Sequence, residues 1–288
     1  MSPDARLPWA VRAMPRRAAS RFMGGLGRLR VPAPLLGPIL RIYAQTYGAN
    51  LDEMARPLHD FRSFLDFFTR HLKAGARPLP DDPSAIAAPA DGKVHAAGST
   101  DAGTILQAKG IPYRMDELVG GAAPFERGTY FTTYLAPGDY HRFHWPFDGE
   151  LDEVRHVPGD LWPVHPGAVA AVPGLFARNE RAVLLGRTSN GGRFAIAAVG
   201  ALNVGSIRLT RVPLRTNRGH GGGPRVVSRP SLAVTRGEEM GWFEFGSALV
   251  MLLEDSAGRF DALPTGTPLR MGQAIGSLET AAVSASPG

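Results

Sequence analysis

Apolar positions follow two regimes along the 288 residues. In the first, Phe61, Phe64, Leu65, Phe68 and Leu72 recur at three- and four-residue steps, which predicts one face of an amphipathic helix. Ser63 and Asp66 are spaced to form its capping box. Pro38 suits the first position of an earlier helix, after which Ile39, Leu40, Ile42 and Tyr43 share a broad face. Arg77-Pro78-Leu79-Pro80 and Asp81-Asp82-Pro83 then break the period. Beyond residue 84 the second regime begins. Short apolar runs at 128–135, 194–204, 206–212 and 248–253 are separated by Gly, Pro and Asp, and predict strands of a largely antiparallel core. The expected fold is therefore α+β, with a helical module over residues 1–80 and a β-rich domain over 81–288.

Charge changes the picture of the helical end. Residues 1–50 hold eight arginines (Arg6, Arg12, Arg16, Arg17, Arg21, Arg28, Arg30 and Arg41) and one acid, Asp4, so the chain's net +6 is concentrated there. A basic tail on a near-neutral body meets an anionic surface, either nucleic acid or lipid. Trp9, Val11, Met14, Phe22, Met23, Leu26 and Leu29 are interleaved with the arginines, which favours lipid. The apolar run over 31–40 is broken by prolines and falls short of the roughly 20 residues that a spanning helix needs. The segment is expected to lie in a membrane interface; a solvated Arg-rich arm is the plainer alternative. Cysteine is absent, which excludes disulfides, thiolate nucleophiles and Cys-ligated zinc. The stretch over 216–224 (TNRGHGGGP) reads as a loop without the Gly-Lys-Ser/Thr ending of a phosphate cradle.

Three islands carry candidate chemistry. Pro89-Ala90-Asp91-Gly92-Lys93-Val94 places an acid before a glycine, which is also an ordinary turn. Tyr134–Pro146 contains His141 and His144 among aromatics. On an extended segment the two imidazoles point to opposite faces unless a bulge re-aims one. Zinc would need further ligands that a cysteine-free chain supplies only from scattered His and carboxylates. The third island, residues 241–251, sets Gly246-Ser247 within a strand-like apolar run; a bulge is the bland reading.

Taken together, and in this order, the islands resemble bacterial phosphatidylserine decarboxylases. The resemblance runs over nearly the whole chain and includes residues 105–110 (ILQAKG), 157–161 (VPGDL), 175–181 (LFARNER), 199–201 with 204–207 (VGA, VGSI) and 237–241 (GEEMG). It implies a proenzyme that cuts itself between Gly246 and Ser247 and turns Ser247 into a pyruvoyl cofactor. It implies Asp91 and His144 as the processing pair and His141 as a residue of the decarboxylation step, with no metal. The implied reaction converts phosphatidylserine to phosphatidylethanolamine and CO2 in phospholipid biosynthesis. The implied partners are phosphatidylserine, an anionic membrane surface and the chain's own pieces, 1–246 and 247–288; nucleic acid is not among them, and a homodimer is compatible. The implied location is peripheral, on the cytoplasmic face of the cell membrane.

Serine is a weak nucleophile until a base takes its proton. Asp91 is expected to orient and charge-stabilise His144, which deprotonates Ser247 for attack on the Gly246 carbonyl. Two departures stand out: Ala248 where the family usually has Thr or Ser, and Pro163 where relatives often have a hydroxyl residue. Two readings from other classes use the same residues less fully. A Ser-His-Asp hydrolase would keep Ser247 intact but lacks a Gly-x-Ser-x-Gly elbow. A non-enzymatic basic membrane-binding module would leave the three islands idle.

Overall fold

The computed structural model describes residues 14–106, 112–202, 206–218 and 222–279. Arg6, Trp9, Val11 and Arg12 lie outside them, as do residues 107–110, Val204 with Gly205, and 219–221 of the motifs above.

The basic segment forms two helices, Arg16–Gly27 and Ala33–Tyr47. The second starts upstream of Pro38. Pro34 stands in its first turn, where a missing N–H is no loss, and Pro38 lies inside the helix instead of opening it. Packing sustains the helix across that residue: Leu36, Leu40 and Ala44 are buried with Met54, Phe61 and Phe67.

The aromatic stretch after residue 60 is not one long helix. Only Phe64–Phe68 is helical. Ser63 Oγ accepts from Asp66 N at 3.1 Å, while the Asp66 carboxylate accepts from Arg62 N at 3.0 Å, one residue earlier than a capping box places it. Leu72 lies beyond the helix and bridges to Met54. The spacing instead builds an aromatic cluster, with Phe61 edge-on to Phe67 at 5.5 Å and Tyr43 edge-on to Phe64 at 4.8 Å.

The β-rich part is dominated by a nine-stranded antiparallel sheet. Its long strands run in the order Gly149–Val157, Arg181–Thr188, Arg193–Gly200, Ser247–Glu254, Gly128–Leu135 and Gly92–Thr100. The Ser247–Glu254 strand is central, paired along its length on both sides. Its alternate side chains enter two cores: Leu249, Met251 and Leu253 on one face, Ala248, Val250 and Leu252 on the other. A second antiparallel sheet joins Ser206–Leu209, Glu239–Glu244 and Arg142–His144. The sequence runs expected at 194–204 and 206–212 end earlier, at Gly200 and Leu209.

Candidate active site

The Gly246-Ser247 pair sits where the chain changes sheets. Glu239–Glu244 belongs to the three-stranded sheet and Ser247–Glu254 to the nine-stranded one, so Phe245 and Gly246 alone make the passage. Ser247 opens the central strand, opposite Leu135 on one side and Gly200 on the other. It is fully buried, and its Oγ has no hydrogen-bond partner among the described residues. A buried hydroxyl without a partner forfeits its hydration, a cost that functional groups bear more often than structural ones.

The short strand Arg142–His144 pairs with Glu239–Glu244 across a register shift between Glu239 and Gly241. His144 is buried between defined partners. Its Nδ1 donates to the Gly237 carbonyl at 2.9 Å, because a carbonyl can only accept. That tautomer leaves Nε2 as an acceptor, and the Tyr140 hydroxyl donates to it at 3.1 Å. Burial lowers the His144 pKa; the charges of Glu239 and Asp91 act the other way. His141 is fully buried against the Phe68 ring, 4.1 Å between centroids. Its Nδ1 donates to the Asp139 carbonyl at 2.9 Å, and Nε2 has no partner among the described residues. Burial pushes its pKa down to about 3, so the ring is neutral at physiological pH.

Asp91 is anchored away from His144. Its carboxylate accepts from Arg77 Nε at 2.8 Å and Nη2 at 2.5 Å, and from Met271 N at 2.8 Å. Arg77 also holds Glu53 at 2.8 Å. The His144 position that an orienting carboxylate would occupy is filled by the Gly237 carbonyl. Asp91, Tyr140 and Arg70 line a cavity of about 240 Å³ with Arg77, Lys93 and Asp139. Arg70 is buried; one nitrogen reaches the Gly138 carbonyl at 2.9 Å, while Nε and Nη1 have no partner among the described residues.

The structure thus places Asp91 and His144 within electrostatic reach of one another, and His141 one aromatic ring away from Phe245. It does not hydrogen-bond Ser247 to any of them. Sequence reasoning missed Tyr140, although it lies inside the second island. It also missed Arg70, gave Gly237 and Glu239 no role although they lie in the 237–241 motif, and read Arg77 only as part of a boundary. Polar side chains between aromatics were the available signal, but pairing partners far apart in sequence are not visible in a local pattern.

Comparison with known proteins speaks to the same region. The family model for phosphatidylserine decarboxylase matches residues 64–277, which span both histidines and the sheet change. A phosphatidylserine decarboxylase proenzyme of Anaeromyxobacter sp. (strain K) is 40% identical over 279 residues, covering 93% of this chain and 96% of the relative. That of Halorhodospira halophila is 41% identical over 283 residues, with 93% and 92% covered. The Myxococcus xanthus proenzyme is 37% identical over 272 residues, with 92% and 96% covered. The likeness extends through the Gly246-Ser247 joint and its surroundings, and the chain belongs to the phosphatidylserine decarboxylase family.

Proposed function

We propose that this chain decarboxylates phosphatidylserine to phosphatidylethanolamine, using a pyruvoyl group made from its own Ser247. The observation that carries this reading is the buried Ser247 hydroxyl directly after Gly246, without a hydrogen-bond partner among the described residues, in a chain of this family.

In maturation, Ser247 Oγ bonds to the Gly246 carbonyl carbon as the Gly246–Ser247 C–N bond breaks. The hydroxyl proton passes through a base to the freed nitrogen, and the peptide becomes an ester. Elimination across Cα–Cβ of residue 247 releases chain 1–246 as a carboxylate. Water then replaces the nitrogen, which leaves as ammonia, and a pyruvoyl group remains at 247. His144 is the proposed base. Its Nε2 lone pair is set by the hydrogen bond from Nδ1 to the Gly237 carbonyl, and it must give up Tyr140 before it can take a proton from Ser247. Asp91 contributes charge more than orientation, because its negative charge favours a protonated His144.

The residues fit the group: the one hydroxyl of the central strand follows Gly246 directly and has no partner among the described residues, and the Cα and Cβ of that serine would become the ketone carbon and the methyl of the pyruvoyl group. When present, a pyruvoyl group supplies an electron-accepting carbonyl for the substrate amine. His141 is the proposed carrier of the proton returned after CO2 leaves; an anionic headgroup beside it raises its depressed pKa. The guanidinium donors of Arg70 that have no partner among the described residues, within electrostatic reach of His141, give that headgroup a cationic partner. The pieces 1–246 and 247–288 stay together, because the cut strand is paired on both sides and buried on both faces.

Membrane attachment is proposed to be peripheral. No helix among the described residues is long and apolar enough to cross a membrane. The two N-terminal helices and the connection between them expose Phe22, Leu26, Leu29, Leu35, Ile39 and Ile42. Arg21, Arg30 and Arg41 are exposed beside them, a pairing suited to the cytoplasmic, anionic face of a bilayer. The arginines do not all face lipid, however. Arg16 binds Asp160 at 2.5 Å, Arg17 binds the Gly159 carbonyl, and Arg28 binds Glu244.

Intact mass of the purified protein tests the reading. Two chains are expected, with residue 247 blocked, together with CO2 release from phosphatidylserine vesicles. A cut chain carrying an ordinary serine at 247 would refute the pyruvoyl group. Replacing Phe22 and Ile42 by Ser should reduce vesicle flotation, and unchanged flotation would remove the membrane role.

A further inference from the structure

The passage between the sheets is strained at one residue. Phe245 has φ of +86°, a region that a bulky side chain enters only under constraint. Gly246, its neighbour, is the residue that tolerates such backbone freely, yet the positive φ falls on the phenylalanine. The ring is held in place. Phe64 stacks on it, with centroids 5.6 Å apart and planes 12° apart, and Phe68 packs at 4.9 Å. From the other side Gly27 of the first helix comes so close that a Cβ there would stand 2.5 Å from the Phe245 ring. Phe68 in turn carries His141 at 4.1 Å.

We infer that Phe245 is a positioning residue for self-cleavage: its ring, clamped by Phe64, Phe68 and the glycine surface at Gly27, holds strained backbone against the Gly246–Ser247 bond, and cleavage relieves it. The inference rests on the maturation proposed above. The physical reason lies in the linkage. As a peptide, Gly246 carbonyl carbon and Ser247 Cα are joined through one atom, N. As an ester they are joined through two, Oγ and Cβ. The passage between the sheets lengthens by one bond, so Phe245 can leave its unfavourable φ. Strain present in the amide and absent in the ester shifts an otherwise uphill acyl transfer toward the ester. The clamp gives the N-terminal helices a part in maturation, separate from any contact with lipid.

The side chain's two contributions can be separated. Phe245→Ala removes the ring but keeps the Cβ that makes positive φ costly; Phe245→Gly removes both. Phe245→Leu keeps a bulky branched chain. Cell-free synthesis of the full chain, followed by gel or mass analysis over time, gives the rate of appearance of the 247–288 piece. Hydroxylamine, which cuts the ester directly, isolates the acyl transfer from the later elimination. The expected order of rates is wild type and Phe245→Leu, then Phe245→Ala, then Phe245→Gly, with Phe245→Gly about tenfold or more below wild type both with and without hydroxylamine. Folded stability, measured in the same variants carrying Ser247→Ala, should run the other way for the last two, with Gly at least as stable as Ala. A merely structural role would make rate follow stability. Phe245→Gly cleaving as fast as Phe245→Ala or wild type would overturn the inference. A wild-type chain that never cleaves would instead remove the maturation reading on which it rests.

Discussion

The strands on either side of Phe245-Gly246 are opposites. Glu239–Glu244 carries charge at both ends. Glu239 pairs with Arg142 at 2.8 Å, and Glu244 meets Arg28, Arg208 and Arg215. Ser247–Glu254 is apolar and buried between its first residue and its last. One strand has more partners than its charges need; the other begins with a hydroxyl that has none among the described residues. The contrast fits the proposed division of labour. Acid–base groups require a polar setting that fixes tautomer and charge, while a serine that attacks its own backbone benefits from having no competing partner.

The largest effect that tests this contrast comes from Ser247→Ala. The chain should remain a single piece of 288 residues and release no CO2 from phosphatidylserine. Because the hydroxyl is unsatisfied, its loss should not destabilise the precursor and should stabilise it by about 1 kcal/mol. The comparison is with uncut His144→Ala, by urea unfolding. Marked destabilisation would mean that Ser247 has a partner after all.

Next come the two histidines, which should separate by step. His144→Ala should stop or greatly slow the appearance of the 247–288 piece. His141→Ala should still cleave but lose at least about tenfold in decarboxylation, the range in which general acids and bases act. Full activity in His141→Ala would withdraw the proton-return role.

Arg77→Met probes the anchoring of Asp91. Both side chains are nearly buried, at 7% and 12% exposure, so removing the guanidinium leaves a buried carboxylate uncompensated. A loss of about 3 kcal/mol is expected in the Ser247→Ala background, partly restored by adding Asp91→Asn. An additive double variant would show that Arg77 and Asp91 do not act as a pair.

His95 tests what burial does without a functional partner. It is buried edge-on to Phe176, neither ring nitrogen has a partner among the described residues, and its pKa is lowered to about 4 by desolvation. The unfolded chain takes up a proton near pH 6.5, and the folded chain does not until about pH 4. Its contribution is therefore complete above pH 6.5 and is lost as pH falls toward 4, at about 1.4 kcal/mol per pH unit. His95→Phe should flatten that slope, measured by urea unfolding from pH 8 to 5. An unchanged slope would place the titration elsewhere.

How far the sequence anticipates this depends on the range of the interaction involved. The run over 128–135 coincides with an observed strand because a short apolar run bounded by Gly and Pro is a local property. The expected helix over 61–72 shrinks to five residues, since three-residue spacing of phenylalanines serves an aromatic cluster as well as a helix. Pro38 is inside a helix because buried Leu36 and Leu40 outweigh its local preference. At the site, residue types are legible and contacts are not. Asp91, His141, His144 and Ser247 are singled out by the family resemblance, but that Arg77 takes Asp91 and that the Gly237 carbonyl takes His144 depends on strand pairing over long separations. The strain at Phe245 is equally hidden, because the sequence draws the eye to the glycine beside it.

The smallest effect is expected at Arg28, on the polar side of the joint. Arg28 donates to Glu244 and to the Gly24 carbonyl, and its side chain is 38% exposed. Glu244 keeps Arg208 and Arg215 when Arg28 is replaced, so no buried charge is stranded. Arg215 gains as well: its pKa is lowered chiefly by desolvation and further by repulsion from Arg28 and Arg208. Removing one cation from a cluster of three around one carboxylate relieves that repulsion while it costs an ion pair. Arg28→Gln retains a donor for the Gly24 carbonyl and should change stability by less than about 1 kcal/mol. Its cleavage rate should stay within a few-fold of wild type, because Gly27 still abuts the Phe245 ring. Urea unfolding of Arg28→Gln in the Ser247→Ala background measures the first, and the time course of the 247–288 piece the second. A loss of several kcal/mol would mean that Glu244 depends on Arg28 alone, and that the two strands differ less in redundancy than their ion pairs indicate.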